Sequence, residues 1–276
     1  MNKVSADIYR TQVSRGVALA WVNSYSAVVI KTPGATLLFD PVGMEVPSDA
    51  PLDLIAISHG HSDHWEPALI AELQGRTGST VAAPPSLAAK LRQSGDEIPP
   101  TPLLERGASG YVADRGPSAR DAKDLEHLRE IVSLAPGEEI TVGGTTLTAL
   151  RCDHAAAEPL AFQVSTLDGV TVYLPGDTTP FPEMAQLPKT FSEKPGHGQT
   201  TERGIDVLCW MGTALADGAK IARLVQPKVF LSYAITPPAA GDRAYEILTA
   251  LTPDIPFHPL DRHQVFLWPG GVKKPN

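Results

Sequence analysis

The sequence contains little cysteine, no long apolar run and no excess of positive charge. Its two cysteines, Cys152 and Cys209, have no CxxC spacing, which argues against a disulfide framework or a cysteine-based zinc site. No stretch approaches the roughly 18 consecutive apolar residues that a membrane-spanning helix needs, so we expect no membrane partner. The first ten residues lack the apolar core of a secretory signal, and we therefore expect a cytoplasmic location.

The charge balance is acidic. Counting histidine as neutral, 23 Lys and Arg against 31 Asp and Glu give a formal net charge of −8. Without a cluster of basic residues, such a chain is poorly suited to bind a nucleic-acid backbone. The apolar fraction of 42% and the charged fraction of 20% are typical of a globular protein with a sizeable core. We therefore expect a small-molecule substrate and no nucleic acid.

Short runs rich in β-branched and aromatic residues predict a series of strands. The first three predict an antiparallel meander over Leu19–Val22, Ala27–Lys31 and Ala35–Phe39. Further strands are predicted at residues 53–57, 80–83, 139–142, 145–151, 161–165, 170–174, 206–210, 228–232 and 264–268. Helices are predicted at residues 67–73, 86–93, 215–224 and 243–251. Because the strands come in two batches, each followed by helices, we predict an α/β protein of two sheets packed face to face with helices outside.

Residues 94–137 interrupt this alternation. The segment is rich in proline and glycine and then has a charged stretch, Ser118–Leu134, whose apolar residues recur at helical spacing. We interpret residues 1–276 as one domain into which this segment is inserted. A role in substrate access and a surface excursion without a role are both compatible with its composition.

Residues 54–65, LIAISHGHSDHW, carry the strongest chemical signal in the chain. An apolar run typical of a buried strand leads directly into His59, His61, Asp63 and His64. Imidazole and carboxylate are ligand types that suit zinc, manganese or iron. If the chain leaves the strand still extended, His59 and His61 project to one side and can bind one ion. After the chain turns, Asp63 and His64 can face a second position nearby.

Two further predicted strands end in candidate ligands. His154 follows the strand at residues 145–151, and Asp177 follows the strand at residues 170–174. Each alone would be interpreted as an ordinary surface, core or turn residue. Loops at one edge of a rigid sheet can, however, converge on a point. We therefore predict that both residues join the histidine motif in one site.

The pattern His59-x-His61-x-Asp63-His64, followed by His154 and then Gly-Asp-Thr at 176–178, resembles the signature of the metallo-β-lactamase superfamily of metal-dependent hydrolases. The opening hairpin that leads to LLFDP at residues 37–41 is similar to that family as well. Pro-Gly-Glu at 136–138, before a hairpin into His154, resembles the subgroup that contains L-ascorbate-6-phosphate lactonase. The resemblance covers roughly residues 17–270 and implies a four-layer αββα sandwich of two mixed β-sheets with helices on the outer faces.

For the site, the resemblance implies two divalent metal ions, with zinc as the first choice and manganese or iron as alternatives. The ligands that it implies are His59, His61 and His154 for the first ion, Asp63 and His64 for the second, and Asp177 as a bridge between both. Such a pair of ions lowers the pKa of a bound water toward neutrality. Asp63 would be the catalytic residue that orients the nucleophile or accepts its proton.

The family pattern includes one more histidine, at the end of a late strand, and this chain departs from it. Tyr233 stands at or near the matching position, in residues 228–234. Three interpretations stay open: His258 or His263 fills the position, Tyr233 binds the metal or a developing oxyanion, or the second ion is held weakly. We take Tyr233 and His263 as additional candidate site residues. Asp40 is interpreted as a turn residue or as a partner behind the ligands.

The function predicted from these residues is hydrolysis of a lactone, ester, amide or phosphodiester bond in a small molecule. Two alternatives are kept. A di-iron redox protein of this kind would often have glutamate in place of one early histidine, whereas this chain retains His61. A degenerate metal-binding scaffold without hydrolase activity would explain why Tyr233 stands where histidine is expected.

Overall fold

A computed structural model of the protein describes residues 6–97, 130–187, 204–212, 214–233 and 238–269. Within these ranges the strands form two seven-stranded sheets. The strands of the first sheet are β1 (Val17–Trp21), β2 (Val28–Lys31), β3 (Thr36–Phe39), β4 (Leu54–Ala56), β5 (Thr80–Ala83), β6 (Ile131–Ser133) and β14 (Phe266–Trp268). Those of the second sheet are β7 (Glu139–Val142), β8 (Thr145–Arg151), β9 (Leu160–Ser165), β10 (Thr171–Leu174), β11 (Val207–Met211), β12 (Val229–Tyr233) and β13 (Phe257–Pro259).

Both sheets mix antiparallel and parallel pairing. The first has the order β14-β1-β2-β3-β4-β5-β6, and it is antiparallel as far as β3 and parallel from β3 to β6. The second has the order β13-β12-β11-β10-β9-β8-β7, antiparallel from β7 to β10 and parallel from β10 to β13. The helices are α1 (Ala6–Arg10), α2 (Pro67–Thr77), α3 (Pro85–Glu97), a 3-10 helix (Pro182–Gln186), α4 (Leu215–Val225) and α5 (Pro238–Leu251).

Apolar side chains are buried on both faces of each sheet. Along β1, Val17, Leu19 and Trp21 belong to the core between the sheets, whereas Ala18 and Ala20 belong to the core that includes residues of α1, α2 and α3. A third core joins the outer face of the second sheet to α4 and α5. Since successive side chains of a strand point to opposite faces, strands covered on both sides are apolar almost throughout. This arrangement confirms the predicted sandwich of two mixed sheets with helices outside.

The structure corrects one predicted element and adds others. The helical spacing that we read across Ser118–Leu134 is wrong at its end, because Ile131–Ser133 forms β6. This short strand pairs in parallel with β5, and such tertiary pairing overrides a weak local periodicity. The sequence also gave no indication of α1, the 3-10 helix or β13. The predicted insertion also begins too early, because residues 94–97 continue α3, and residues 98–129 lie outside the described residues.

None of the helices in the described parts of the chain combines the length and the hydrophobicity needed to cross a bilayer.

Two turns join the sheets at the end opposite to the histidine loop. The turn between β2 and β3 contains Gly34, and the turn between β7 and β8 contains Gly143, whose φ is +52°. A Cβ on either glycine would overlap the backbone carbonyl of the other. The hydroxyls of Thr32 and Thr145 form a hydrogen bond of 2.6 Å beside this contact. Glycine is therefore required here both for the backbone conformation and for the close approach of the two turns.

We expect Gly143→Ala to destabilise the protein more than Gly78→Ala. Gly78 ends α2 with a φ of +71°, but a Cβ there would meet nothing within 4 Å. In the control, the unfolding free energy therefore falls only by the backbone strain, about 1–2 kcal/mol. In Gly143→Ala, overpacking lowers it by roughly a further 1–3 kcal/mol. Urea denaturation of the two variants measures the difference. Equal losses of unfolding free energy would contradict the proposed contact between the turns.

Candidate metal centre

The candidate ligands follow strands that end at one edge of the sandwich. His59, His61, Asp63 and His64 lie in the loop after β4, His154 follows β8, and Asp177 follows β10. Two backbone links hold these loops together. The Leu160 N–H donates to the Ser58 carbonyl (2.9 Å), which ties the first sheet to the second. The Thr179 N–H donates to the Asp153 carbonyl (2.8 Å), which fixes the His154 and Asp177 loops against each other.

One group consists of three imidazoles, those of His59, His61 and His154. His61 Nδ1 lies 3.1 Å from His59 Nε2 and 3.2 Å from His154 Nε2. Two nitrogens bound to one tetrahedral zinc at the usual bond length are about 3.4 Å apart. The three nitrogens therefore have a spacing that one such ion can satisfy.

A second group consists of His59, His64 and Asp177. Asp177 Oδ2 lies 3.4 Å from His64 Nε2, and 3.9 Å from Nε2 of both His59 and His154. One carboxylate oxygen thus faces nitrogens of both groups, as a bridging ligand would. His64 Nε2 is buried and makes no well-aligned hydrogen bond within the described structure; Asp177 Oδ2, at 3.4 Å, is its close carboxylate neighbour. A buried polar nitrogen without a well-aligned hydrogen bond is costly, and an ion at this position would satisfy it.

Asp63 lies at the open side of the second group. Its side chain is 53% exposed, and Oδ2 is 3.9 Å from His64 Nε2. The Asp63 carbonyl accepts a hydrogen bond of 2.6 Å from the Ser26 hydroxyl, which fixes the backbone at this point. The carboxylate therefore faces both solvent and the second group.

Asp40 and Ser58 orient two of the imidazoles from behind. Asp40 has a positive φ of 47°, and its carboxylate accepts hydrogen bonds from the backbone N–H and the hydroxyl of Ser58, both at 2.7 Å. Asp40 Oδ2 is also 2.9 Å from His64 Nδ1, and Ser58 Oγ is 2.9 Å from His59 Nδ1. Since the Ser58 hydroxyl donates to Asp40, its oxygen is left to accept from His59. In the neutral imidazoles that a metal ion requires, a proton on each Nδ1 leaves each Nε2 lone pair directed at the site.

The protonation of this cluster is set by burial and by its own charges. Burial and the neighbouring His64 lower the pKa of His59 to about 4. For His64, burial acts to lower the pKa, but the carboxylates of Asp40 and Asp177 outweigh it and raise the pKa to about 10. Burial acts to raise the pKa of Asp177, whereas the close contact with His64 and the charge of its imidazole bring it below its ordinary value. Metal binding at neutral pH would thus displace a proton from His64.

A cavity of about 400 Å³ opens beside this cluster. Its lining includes residues 24–26, Asp63, His154, Asp177 and Trp210. Beneath it, the indole of Trp210 packs so closely on Gly212 and Gly218 that a Cβ on either glycine would overlap the ring. The cavity thus gives a small molecule access to the histidines and carboxylates.

The two additional candidates, Tyr233 and His263, are held by different parts of the fold. Tyr233 is buried in the core between the sheets, with its ring centroid 6.3 Å from that of Trp21. Burial and the charges of Asp40 and Asp177, among others, raise the pKa of its phenol well above the ordinary value. His263 donates its backbone N–H to the Trp21 carbonyl (2.7 Å) and, among the described residues, belongs to neither ligand group. His258 lies 3.4 Å from the Gln264 amide and also belongs to neither.

Ser58 was not predicted as a residue of the site, and Asp40 was predicted only as a turn residue or as a partner behind the ligands. A hydroxyl residue directly before the first histidine of the motif is the available signal for Ser58. The cavity walls formed by Tyr25 and Trp210 were not predicted as such either. Tyr25 lies in the turn between β1 and β2 and Trp210 lies near the end of β11, so the two residues are far apart in the sequence.

Comparison with known proteins agrees with this fold. A family model described as "Beta-lactamase superfamily domain" matches residues 18–190. A "UPF0173 metal-dependent hydrolase" from Anaeromyxobacter dehalogenans (strain 2CP-C) is 26% identical over 189 residues, which cover 65% of this chain and 63% of the relative. The match therefore spans just under two thirds of that relative's length.

Solved structures share the fold at low identity. Igni18, a metallo hydrolase from Ignicoccus hospitalis, superposes with a TM-score of 0.60 at 16% identity, covering 90% of this chain and 97% of that one. CmlA, a diiron β-hydroxylase from Streptomyces venezuelae, superposes with a TM-score of 0.58 at 12% identity, covering 93% of this chain and 55% of that one. The family model covers more than half of the chain, and the structure has the αββα sandwich; the chain belongs to the β-lactamase superfamily and has its metallo-β-lactamase fold.

Proposed function

We propose that the protein is a metal-dependent hydrolase that uses activated water to cleave a lactone, ester, amide or phosphodiester bond in a small molecule. The observation that carries the proposal is the convergence of four imidazoles and the Asp177 carboxylate in two groups whose ligand atoms lie within 4.8 Å of one another. The metal-dependent hydrolase among its relatives supports the same reaction class.

The proposed ligands divide between two ions. Those for the first are His59, His61 and His154, those for the second are Asp63 and His64, and Asp177 lies between them. We propose zinc, with manganese or iron as alternatives, because imidazole and carboxylate ligands suit these metals. When bound, such ions polarise the bond to be cleaved and lower the pKa of water to near neutrality.

The protein's own groups would do the remaining work. Asp40 and Ser58 hold the His59 and His64 rings in the required orientation. Asp63, which faces the cavity, is placed to orient the attacking water and to accept its proton. Tyr233, if it contributes, would do so as a neutral hydroxyl donor, because burial disfavours its phenolate. His263 stays a candidate because it lies shortly before β14.

The test combines metal analysis with a panel of substrates. Protein purified without added metal is analysed for zinc, manganese and iron per chain. It is then assayed as purified, after chelation and after metal is restored, on generic lactones, esters, amides and bis(para-nitrophenyl) phosphate. We expect turnover of one bond class that chelation abolishes and metal restores. Protein that binds metal but turns over nothing in the panel would support the scaffold alternative, and a visible absorption band from bound iron would support the redox one.

A further inference from the structure

The cavity beside the cluster has an unbalanced charge. Its described lining residues include the acidic side chains of Asp63 and Asp177 but no lysine or arginine. Bound ions would neutralise the carboxylates that coordinate them. Those ions would act on the bond to be cleaved and would not bind a charge at the other end of the substrate. A substrate that carries a negative charge elsewhere needs a separate cation.

Arg262 is a cation that contacts one of the residues lining this cavity. Its Nη1 donates a hydrogen bond of 2.7 Å to the hydroxyl of Ser24, which lines the cavity. The Arg262 side chain is exposed, and no ion pair joins it to a carboxylate within the described ranges, in contrast to Arg10 with Asp49 and Arg151 with Glu183. A guanidinium has five N–H donors in a planar fork. Most of these donors are thus left for another acceptor.

The backbone on the Arg262 side is anchored to β1. The backbone of Arg262 forms an isolated parallel β-bridge with that of Trp21. The next residue, His263, donates its backbone N–H to the Trp21 carbonyl at 2.7 Å. The segment that carries the guanidinium is therefore fixed relative to the first sheet.

The turn that carries Ser24 is anchored as well. The Asn23 side chain accepts hydrogen bonds from the backbone N–H groups of Tyr25 (3.0 Å) and Ala27 (2.9 Å). The Ser26 hydroxyl donates to the Asp63 carbonyl at 2.6 Å, which links the turn directly to the histidine loop. Ser24 and its bond to Arg262 thus keep a defined position relative to the proposed ligands. Such preorganisation reduces the entropy cost of binding.

We propose that Arg262 is a specificity-determining residue that binds a carboxylate of the substrate, remote from the bond that is cleaved. This inference rests on the proposed hydrolase function. The planar guanidinium matches a carboxylate in a two-point contact.

The test uses two esters that differ by one carboxylate, mono-para-nitrophenyl glutarate and para-nitrophenyl pentanoate. The quantity measured is the ratio of their kcat/KM values with metal-loaded protein. In Arg262→Gln we expect this ratio to fall by about tenfold or more, the size of one hydrogen bond to a charged group. Arg262→Lys keeps the charge but loses the fork, so we expect an intermediate ratio. Arg223→Gln is the control, because Arg223 is exposed on α4, is absent from the cavity lining and changes the net charge equally.

A ratio that falls in Arg262→Gln but not in Arg223→Gln supports the proposal. A ratio that is unchanged in both, or that falls equally in both, overturns it. If wild-type protein hydrolyses neither ester, the proposed function is in doubt, but calorimetric titration with glutarate still decides the role of Arg262. Weaker glutarate binding in Arg262→Gln than in Arg223→Gln supports that role, and equal binding refutes it.

Discussion

Replacement of His61 by alanine should remove metal and activity while leaving the fold intact. His61 is exposed, so its loss leaves no cavity in a core. Its Nδ1 lies between His59 Nε2 and His154 Nε2, at 3.1 and 3.2 Å. Loss of a residue that merely supports a ligand costs about 10–100-fold in metal affinity or activity, and loss of a ligand should cost more. We therefore expect hydrolysis of the panel substrate to fall by more than roughly 100-fold.

Comparing the His61→Ala variant with an Asp177→Asn variant distinguishes the contributions of the two ligand groups. His61 belongs only to the three-imidazole group, whereas Asp177 Oδ2 faces nitrogens of both groups. Asp177→Asn should therefore weaken binding of both ions, and His61→Ala mainly that of one. Asp254→Asn, at an exposed position, is the control for loss of one negative charge. Metal per chain is measured by elemental analysis after dialysis, and folding by circular dichroism. If His61→Ala leaves metal content and turnover unchanged, the proposed metal site is wrong.

Most of the fold could be predicted because its strands carry local signals. β1, β2 and β3 are buried throughout and are separated by turn residues, so their apolar runs identify them without tertiary information. β6 could not be identified in this way. Its three residues are only partly buried, and its strand conformation depends on the partner β5, which lies far away in the sequence.

The candidate ligands were predictable for a similar reason. The loop after β4 concentrates four of them within six residues, and His154 and Asp177 follow strands that could themselves be predicted. The arrangement behind the ligands was not predictable. The position of the Asp40 carboxylate against Ser58 and His64 depends on a positive φ and on the parallel pairing of β3 with β4. Neither of these features has a residue-level pattern of its own.

The contact between Arg262 and Ser24 is even less predictable from the sequence. Ser24 and Arg262 are 238 residues apart, and only the closure of the first sheet by β14 beside β1 brings their segments together. In the sequence, Arg262 stands in residues 257–263, where His258 and His263 are the residues with recognisable metal-ligand chemistry. Contacts of such long range are set by topology, and single-residue chemistry does not predict them.

Asp40→Asn should weaken metal binding without a matching loss of folding. Asparagine also tolerates the positive φ of 47° at this position, so the backbone is not strained. The change removes the negative charge that lies 2.9 Å from His64 Nδ1. An amide is a weaker acceptor than a carboxylate, and the His59 and His64 rings lose part of their orientation. We expect metal affinity and turnover to fall by roughly 10–100-fold, the usual cost of losing a partner behind a ligand.

A second readout separates this orienting role from a merely structural one. In the metal-free protein, Asp40 and Asp177 raise the pKa of His64 to about 10 against the effect of burial. Without the Asp40 charge, the His64 pKa should move down toward the ordinary histidine value, which NMR titration of the imidazole measures. Asp53→Asn is the matched control, because the Asp53 carboxylate also accepts a backbone N–H, that of Thr36 at 2.7 Å, but belongs to neither ligand group. If both variants lose the same stability and both leave the His64 pKa and metal affinity unchanged, Asp40 supports the loop and does not tune the ligands.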